Sequence, residues 1–360
     1  MAETILKTTG MSTQLSDLNK TVKVSRVAHH SSRGGRPNME DYLKITSIPD
    51  SNSAHLQEET DMDLDMSLNI GYTYVGIFDG HGGDSASRQA STHLENYITS
   101  HKDFDSEDDH LVLKAIKDGY LNLQRDMLLQ RHTWPKSPSG RLSNCGTTAT
   151  IVFIKNGKLY IGHVGDSAII LGYEDSDSHP LWKAKQLTTD HKPDSPAELK
   201  RILSAGGKVF GDRFGDGEPR IVYDVPVITK GGSGRVTRST PTRQLPFLNV
   251  ARSLGDFWSY NPAKEEYIVS PVPDTMVLPL DPNVHRCLIL GSDGLWNALS
   301  PEHAVNIVYS VEMNGRRRLR CGRKETGLDA AKRLVKRALD NWARKKIRAD
   351  NTSAVVVVFE

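Results

Sequence analysis

Four carboxylates in this sequence stand beside apolar stretches that are typical of buried strands. Asp79 follows YTYVGIF, Asp166 follows KLYIGHVG, Asp293 follows CLILGS, and Asp350 with Asn351 precedes TSAVVVVF. Asp-Gly and Asp-Ser pairs are common in turns, so one such position alone indicates only a turn. Four of them in one chain favour a different interpretation, in which strand ends bring the carboxylates together at one edge of a sheet sandwich.

Carboxylates that converge repel one another and cannot all stay ionised unless a positive charge compensates them. Oxygen ligands without cysteine or histidine among them favour Mg²⁺ or Mn²⁺ over zinc or copper. Gly80 fits this hypothesis because a glycine lets a backbone carbonyl turn towards an ion. The pattern therefore predicts a site that holds divalent cations.

The segment RGGRPNMEDY places two arginines close to a further carboxylate pair, Glu40-Asp41. We interpret Arg33 as half of a surface ion pair, which contributes little to stability. Arg36 lies next to a candidate metal ligand, and a guanidinium matches a phosphate group with two parallel hydrogen bonds. The segment therefore predicts phosphate binding by Arg36.

Two histidines lie close to the candidate ligands along the chain. His81 comes two residues after Asp79 in a glycine-rich stretch, and imidazole titrates near neutral pH, so we predict that it donates a proton. His163 lies inside a predicted strand, and we interpret it as a packed core residue.

The elements that must position these residues can be outlined from periodicity and turn residues. Strands are predicted at 42–48, 72–78, 147–154, 158–164, 168–173, 286–292 and 352–359. Helices are predicted at 84–101, 108–131, 196–205, 301–310 and 326–344. Asn156-Gly157 between two apolar runs predicts a hairpin. Hairpin-linked strands with helices inserted in pairs indicate antiparallel sheets covered by helices.

Three segments fall outside this pattern. Residues 1–22 are polar and are predicted to form a flexible tail. Residues 50–69 hold six acidic residues and no Lys or Arg, which predicts a mobile acidic loop insert. Residues 206–245 are rich in Gly, Pro and Arg and are interpreted as a long surface loop or flap.

Composition excludes several classes of protein. The 360 residues are 37 % hydrophobic and 25 % charged, which is enough for a sizeable core. A net charge of +2 does not favour nucleic acid or a membrane surface. Three separated cysteines exclude a disulfide framework and make thiolate-bound zinc an unfavourable hypothesis. No secretory signal or membrane-spanning run is visible, so we expect a soluble intracellular protein.

Eight motifs together resemble the metal-dependent Ser/Thr protein phosphatase family of type 2C. They are RPNMEDY, FDGHGG, CGTTAT, GHVGDS, LTTDHKP, ARSLGDFW, LGSDGLW and ADNTSAV. A single motif such as DGH is weak, whereas eight in the family order, from about residue 26 to 359, are specific. The resemblance implies an α+β fold in which two antiparallel sheets form a sandwich with helices on both faces. It implies one phosphatase domain over residues 23–360.

The resemblance also implies a binuclear Mg²⁺ or Mn²⁺ centre. Asp79 would bridge both ions, Glu40 and the carbonyl of Gly80 would bind one, and Asp293 and Asp350 the other.

A third, weaker ion would use Asp166. Many family members carry an aspartate where this chain has Asn297, so the occupancy of the third site stays open.

The remaining residues of the site follow from the same resemblance. Arg36 would bind phosphate and His81 would act as the general acid. Three residues would support the metal ligands through hydrogen bonds: Asp41, Asp256 and Asn351.

A closer likeness to the delta-type (Wip, DNA-damage-response) branch rests on RQLPFLNVARSLGDFWSY, VSPVPDT and SDGLWN. In that branch a basic loop helps to recognise acidic phosphorylated substrates, and three arginines occupy the equivalent region here: Arg235, Arg238 and Arg243. A solvated loop is the alternative interpretation of this segment. The basic run at 316–324 indicates either nuclear import or a solvated loop, and the likeness to the branch favours the nucleus.

These features predict a protein phosphatase that hydrolyses phosphoserine and phosphothreonine, with stress or DNA-damage signalling proteins among its substrates. We expect a monomer that binds phosphorylated proteins and neither nucleic acid nor membranes. The alternative is a pseudophosphatase that holds phosphoproteins without cleaving them, although the complete ligand set speaks against it. A metal-dependent phosphodiesterase or nuclease is a third hypothesis, which the near-zero net charge does not favour.

Overall fold

The computed structural model describes residues 22–49, 70–136, 140, 142–175, 182–211, 218–226, 242–320 and 329–360. Two five-stranded antiparallel sheets lie at its centre. In spatial order the first sheet, sheet A, consists of β1 (Val24–Ser32), β18 (Thr352–Phe359), β17 (His285–Gly291), β8 (Ala168–Tyr173) and β9 (Lys183–Gln186). The second, sheet B, consists of β16 (Asp274–Pro279), β7 (Lys158–Val164), β6 (Ala149–Lys155), β3 (Ile70–Phe78) and β2 (Tyr42–Pro49).

The two sheets pack face to face, as β18 shows most clearly. Successive side chains of a strand point to opposite faces. Val355 and Val357 of β18 pack into the core between the sheets, whereas Ala354 and Val356 pack under the helices on the outer face. Every residue of β18 is buried because both faces are covered, and this explains its unbroken apolar run.

Helices cover the outer face of each sheet. Helices α1 (Ser85–Thr99) and α2 (Asp109–Gln130) pack on sheet B. Helices α5 (Pro301–Arg320) and α6 (Asp329–Arg344) pack on sheet A. The buried residues of α6 recur with helical spacing: Ala330, Ala331, Leu334, Val335 and Ala338. This arrangement confirms the α+β sandwich with helices on both faces that the sequence predicted.

Shorter elements connect this framework to the candidate site. The short helices are α3 (Pro196–Ser204) and α4 (Asp293–Trp296). One small sheet holds β4 (Gly80–His81), β5 (Gly146–Thr147) and β13 (Leu254–Gly255). Another holds β10 (Val209–Phe210), β11 (Arg220–Pro226) and β12 (Thr242–Leu248), and a hairpin pairs β14 (Tyr260–Asn261) with β15 (Glu266–Tyr267).

The structure refines several sequence predictions. The strand predicted at 147–154 is divided at Thr148, whose amide donates a hydrogen bond to the carbonyl of Asp79 (2.9 Å). The helix predicted at 301–310 continues to Arg320. The segment interpreted as a flap contains β10, β11 and the start of β12. His163 is buried, as predicted, and burial lowers the pKa of its imidazole to about 3.

Two of the segments named above lie almost entirely outside the described residues, namely 1–21 of the predicted tail and 50–69 of the predicted insert. None of the helices that the structure describes has the length and apolarity that a membrane crossing requires.

Candidate active site

Asp79 occupies the single residue between β3 and β4. Its amide donates to Thr148 Oγ1 (3.1 Å), and its carbonyl accepts from the amide of Thr148, so its backbone is fixed from both sides. The next residue, Gly80, donates its amide to the carbonyl of Glu40 (3.2 Å). A Cβ at Gly80 would lie only 2.5 Å from Ser87 Oγ and 2.6 Å from that carbonyl. Only glycine therefore lets the strand end approach Glu40 this closely.

Asp293 begins α4 immediately after β17, where it faces the segment that carries Asp350. The two segments touch at Gly294, since a Cβ there would overlap the carbonyl of Asn351. The Asn351 side chain in turn fixes the loop before β2: its Nδ2 donates to the carbonyls of Arg33 and Asn38 (both 3.0 Å). Its Oδ1 accepts from the amide of Glu40 (2.7 Å). Asn351 thus ties the Arg36 and Glu40 loop to the Asp350 segment.

The carboxylates that the sequence singled out converge. Burial is the first cause that raises the pKa of Asp79 well above its usual range, and the neighbouring carboxylates of Asp41, Asp293, Asp166 and Asp350 raise it further. The pKa of Asp293 is raised in the same way, by burial and then by Asp166 and Asp350. Five strand-end carboxylates therefore lie within electrostatic reach of one another.

Asp41 is the most enclosed of these carboxylates, with 5 % of its surface exposed. Its Oδ2 accepts hydrogen bonds from Ser292 Oγ (2.9 Å) and Ser353 Oγ (2.8 Å). Its Oδ1 is buried and has no hydrogen-bond partner among the described residues. Burial, which outweighs these hydrogen bonds, raises the pKa of Asp41 to about 6. One buried acceptor thus remains available to a ligand of the site.

Glu40 points towards the glycine turn that follows His81. Its Oε1 accepts from the amide of Gly83 (3.0 Å), which holds the carboxylate beside the Asp79 strand end. Burial raises the pKa of Glu40, and the hydrogen bond from Gly83 and the charges of His81 and Arg36 partly offset the rise.

His81 and Asp256 form a hydrogen-bonded pair at the rim of the cluster. His81 Nε2 lies 2.7 Å from Asp256 Oδ2. Asp256 is fully buried and also accepts from Ser253 Oγ (2.5 Å) and Trp258 Nε1 (2.7 Å). Burial alone lowers the pKa of His81, but the carboxylates around it, Asp256 first, raise it above its ordinary value. The structure places Asp256 behind His81, whereas the sequence had grouped it with residues supporting the metal ligands.

The backbone around the His81–Asp256 pair leaves just enough room for the two side chains. A Cβ at Gly146 would overlap Asp256 Oδ2 and lie 2.5 Å from His81 Nε2, so no other residue fits there without displacing the pair. Asp256 itself has a positive φ of 44°, a conformation that few non-glycine residues adopt.

Sequence reasoning missed Lys192. Its Nζ lies 2.7 Å from Asp166 Oδ2 and 3.4 Å from Glu218 Oε2. Burial alone lowers the pKa of Lys192, but the Asp166 carboxylate raises it above its usual range, so the ammonium stays charged. On the other side, Asn297 Nδ2 donates to Asp293 Oδ2 (3.3 Å). The only signal in the sequence was the lysine of the motif LTTDHKP.

Arg36 lies at the open side of the cluster. Its Nη2 is 2.5 Å from Asp350 Oδ2, and 53 % of its side chain is exposed, so part of the guanidinium faces solvent. Within the described residues Arg33 donates to the carbonyl of Pro37 (3.3 Å) and pairs with no carboxylate, so the predicted ion pair is not found there. Of the predicted flap arginines, Arg235 and Arg238 lie outside the described residues, as does the side chain of Arg243 on β12.

The donor set fits Mg²⁺ or Mn²⁺. In the part of the chain that the structure describes, no three His, Cys, Asp or Glu side chains are arranged to hold an ion by themselves. Mg²⁺ retains several waters and uses only one or two carboxylates, so it does not need such a closed cage. Converging carboxylates with raised pKa values, together with the unpaired Asp41 Oδ1, are the electrostatic conditions in which a divalent cation binds favourably.

These raised pKa values predict how stability depends on pH. A carboxyl whose pKa is higher in the folded state holds a proton that the unfolded chain releases, so stability falls as pH rises. For Asp41 this loss runs from about pH 4 to about pH 6. We expect the melting temperature in EDTA to fall over that range, and Mg²⁺ to raise it more at pH 7.5 than at pH 5. A metal-free melting temperature that rises over the same range would contradict this electrostatic interpretation.

Comparison with known proteins gives a consistent result. Residues 30–347 match the family described as Protein phosphatase 2C. The chain is 29 % identical over 258 residues to Protein phosphatase 1L from Bos taurus, covering 71 % of this chain and 59 % of that protein. It is 29 % identical over 345 residues to Probable protein phosphatase 2C 22 from Arabidopsis thaliana, covering 94 % and 70 % respectively. The chain spans about 60 % of the length of the first relatives that it matches.

A solved structure supports the fold. The serine-threonine phosphatase 2C from Toxoplasma gondii superposes with a TM-score of 0.64 at 24 % sequence identity. The superposition covers 95 % of this chain and 98 % of that one.

Proposed function

Because this chain belongs to the protein phosphatase 2C family, we propose that it hydrolyses phosphoserine and phosphothreonine in proteins with water activated at a centre of two Mg²⁺ or Mn²⁺ ions. The observation that carries this proposal is the convergence of carboxylates on Asp79, with Arg36 and the His81–Asp256 pair close to the same cluster. This arrangement joins the three components of metal-assisted phosphate hydrolysis: a cation site, an anion-binding side chain and a proton donor.

The residues that would hold the ions are those at the strand ends. Asp79 would serve both ions, with the Glu40 carboxylate, the Gly80 carbonyl, Asp293 and Asp350 completing the set. When bound, the ions lower the pKa of a coordinated water and offset the charge of the phosphoryl group. Asp166 would take part in a weaker third site, in which the Lys192 ammonium already supplies one positive charge.

The side chains supply positioning and proton transfer. Arg36 has five N–H donors, so it can hold Asp350 with one edge and a phosphoryl oxygen with the other. His81 would protonate the leaving serine or threonine oxygen, which is a poor leaving group as an alkoxide. Asp256 keeps the His81 ring in place and favours its protonated form, because its charge lies 2.7 Å away.

The experiment that tests this function is phosphate release from a phosphothreonine peptide by the purified protein, with Mg²⁺, with Mn²⁺ and with EDTA. We expect turnover with either metal and none in EDTA, with activity restored when metal is added back. Binding of the phosphopeptide without turnover, in protein shown to be folded, would instead establish the pseudophosphatase. Turnover that persists in EDTA would contradict the metal centre.

The basic segment near β12 provides a further prediction, on substrate choice. We propose that Arg235, Arg238 and Arg243 contact acidic phosphopeptides, as the likeness to the delta-type branch suggests. The same likeness favours stress-signalling proteins in the nucleus as substrates. Replacing all three by alanine should lower kcat/KM for an acidic phosphopeptide by roughly tenfold, since charged contacts of this kind are worth about 1 kcal/mol each or less. Hydrolysis of p-nitrophenyl phosphate should not change, and an equal loss on both substrates would show that these arginines have a structural role.

A further inference from the structure

The positive charge of this chain is concentrated in one region. Residues 301–350 hold 14 of the 46 Lys and Arg residues but only 6 of the 44 Asp and Glu residues, so the remaining 310 residues are net negative. This region comprises α5, α6 and the segment that leads to Asp350. The near-zero net charge of the whole protein therefore conceals a strongly basic stretch of the sequence.

The basic region contains a groove between two helices. A cavity of about 570 Å³ lies where α5 packs beside α6. None of the residues that line it belongs to the carboxylate cluster. From α5 it is lined by His303, Asn306, Ile307 and Ser310, and from α6 by Arg333, Lys336, Arg337 and Asp340. We call this cavity the α5–α6 groove. A second cavity of about 390 Å³, which includes Arg316 and Arg317, adjoins it at Ser310.

Two of the cations that line this groove are open to a ligand. Lys336 and Arg337 are exposed, and among the described residues neither has a carboxylate within ion-pair distance. Asn306 Oδ1 is a buried acceptor with no hydrogen-bond partner in the described part of the chain. The groove therefore presents two exposed cations, Lys336 and Arg337, that have no carboxylate partner in the described part of the chain.

The groove is joined to the candidate active site by α6 itself. Trp342 Nε1 donates to the carbonyl of Gly294 (2.8 Å), and Lys345 Nζ donates to the carbonyl of Asn297 (3.1 Å), so the end of α6 lies on α4, which begins with Asp293. Arg337 and Arg344 are separated by about 10 Å along the helix axis.

Further cations continue from the end of α6 towards the phosphate-binding loop. Four exposed basic residues follow one another there: Arg344, Lys345, Lys346 and Arg348. Arg348 donates to the carbonyl of Gly35, the neighbour of Arg36. Positive charge thus extends from the α5–α6 groove to the side of the carboxylate cluster that is open to solvent.

We propose that the α5–α6 groove docks an acidic stretch of the substrate protein while its phosphorylated residue occupies the active site. This inference rests on the proposed function, since it specifies which phosphoproteins the same site would accept. Acidic side chains would pair with Lys336 and Arg337, and peptide N–H groups would meet the exposed carboxylate of Asp340. Partners of opposite charge are attracted before contact, so docking would act on KM more than on kcat.

The lining favours a peptide over a nucleic acid. Among the described residues that line the groove, His303 is the only one with an aromatic ring, so the groove has no row of rings on which successive bases could stack. Asp340 would repel a uniformly charged phosphate backbone, whereas a peptide can present an N–H group to it.

Fluorescence anisotropy with a labelled hexaglutamate peptide tests docking without requiring turnover. We expect the metal-loaded protein to bind the peptide, and the double variant K336E/R337E to bind it at least about tenfold more weakly. The control variant K102E/K117E makes the same charge change at exposed lysines of another surface and should bind as the unmodified protein does. Equal binding by both variants, or tighter binding of an oligothymidylate than of hexaglutamate, would overturn the proposal.

A kinetic measurement then separates docking from catalysis. A hexaglutamate extension on a phosphothreonine peptide should lower KM for the unmodified protein and for K102E/K117E but not for K336E/R337E. The kcat for the unextended peptide should be the same in all three proteins. If none of the three proteins shows turnover but hexaglutamate binding follows the pattern above, the proposed phosphatase function is wrong and the docking role of the groove is supported. If turnover is normal but the extension has no effect on KM, the docking role of the groove is wrong and the proposed phosphatase function is supported.

Discussion

Replacing Asp293 by alanine should lower kcat for a phosphothreonine peptide by about a thousandfold or more, because a metal centre contributes several kcal/mol to transition-state stabilisation. Asp293 begins α4 and lies within electrostatic reach of Asp79, Asp166 and Asp350, so its loss would remove a proposed ligand from the middle of the set. Phosphate release at saturating Mg²⁺, followed by a Mg²⁺ titration, measures the effect.

The same substitution should leave the fold intact and raise the melting temperature in EDTA. Burial and neighbouring carboxylates disfavour the ionised form of Asp293, so a neutral side chain relieves repulsion in the metal-free protein. Glu107→Ala, at an exposed position away from the cluster, is the matched control and should change neither quantity. Normal turnover in Asp293→Ala would exclude Asp293 from the metal centre.

His81→Gln should reduce kcat for the phosphothreonine peptide by roughly a hundredfold or more, as expected when a general acid is lost. The loss should be much smaller with p-nitrophenyl phosphate, since nitrophenolate leaves readily without a proton. Glutamine can still donate a hydrogen bond to Asp256, so the surrounding structure is preserved. The ratio of the two losses is the decisive quantity.

The pH profile provides an independent measurement of the role of His81. The decrease of kcat at alkaline pH should disappear in His81→Gln, because no imidazolium remains to be titrated. His110→Gln, at an exposed position on α2, should retain the profile and the rate on both substrates. Equal losses on both substrates in His81→Gln would assign His81 to phosphate binding rather than to proton transfer.

Local features of the fold could be predicted from the sequence because neighbouring residues determine them. Asn156 and Gly157 form the hairpin turn between β6 and β7, both with positive φ, as the Asn-Gly pair requires. The carboxylates beside apolar runs were identifiable because a polar residue at the end of a buried strand breaks the pattern. The order of the motifs then predicted the sandwich. A resemblance to a family implies which distant strands pair, whereas local periodicity does not.

The contacts that a local pattern does not encode were the ones that sequence reasoning missed. Lys192 reaches Asp166 across 26 positions, and this depends on how the chain returns from β9. Asp256 and His81 form a hydrogen bond although 175 positions separate them in the sequence. Their contact depends on the positive φ of Asp256 and on the missing side chain of Gly146, which lies on a third segment. The α5–α6 groove is likewise formed by the packing of two helices. In the sequence, the polar side of each helix looks like an ordinary solvent-exposed face.

The pairing of β1 with β18 has a consequence for how the protein is made. Val27 pairs with Val357, so β1 leaves the ribosome 330 residues before the strand it needs. At 5–20 residues per second the interval is roughly 15 s to a minute. Asp350 and Asn351, which bring Arg36 and Glu40 to the Asp79 strand end, are among the last residues synthesised before β18. The nascent chain therefore cannot assemble its carboxylate cluster, and under the proposed function it stays inactive until translation has passed β18.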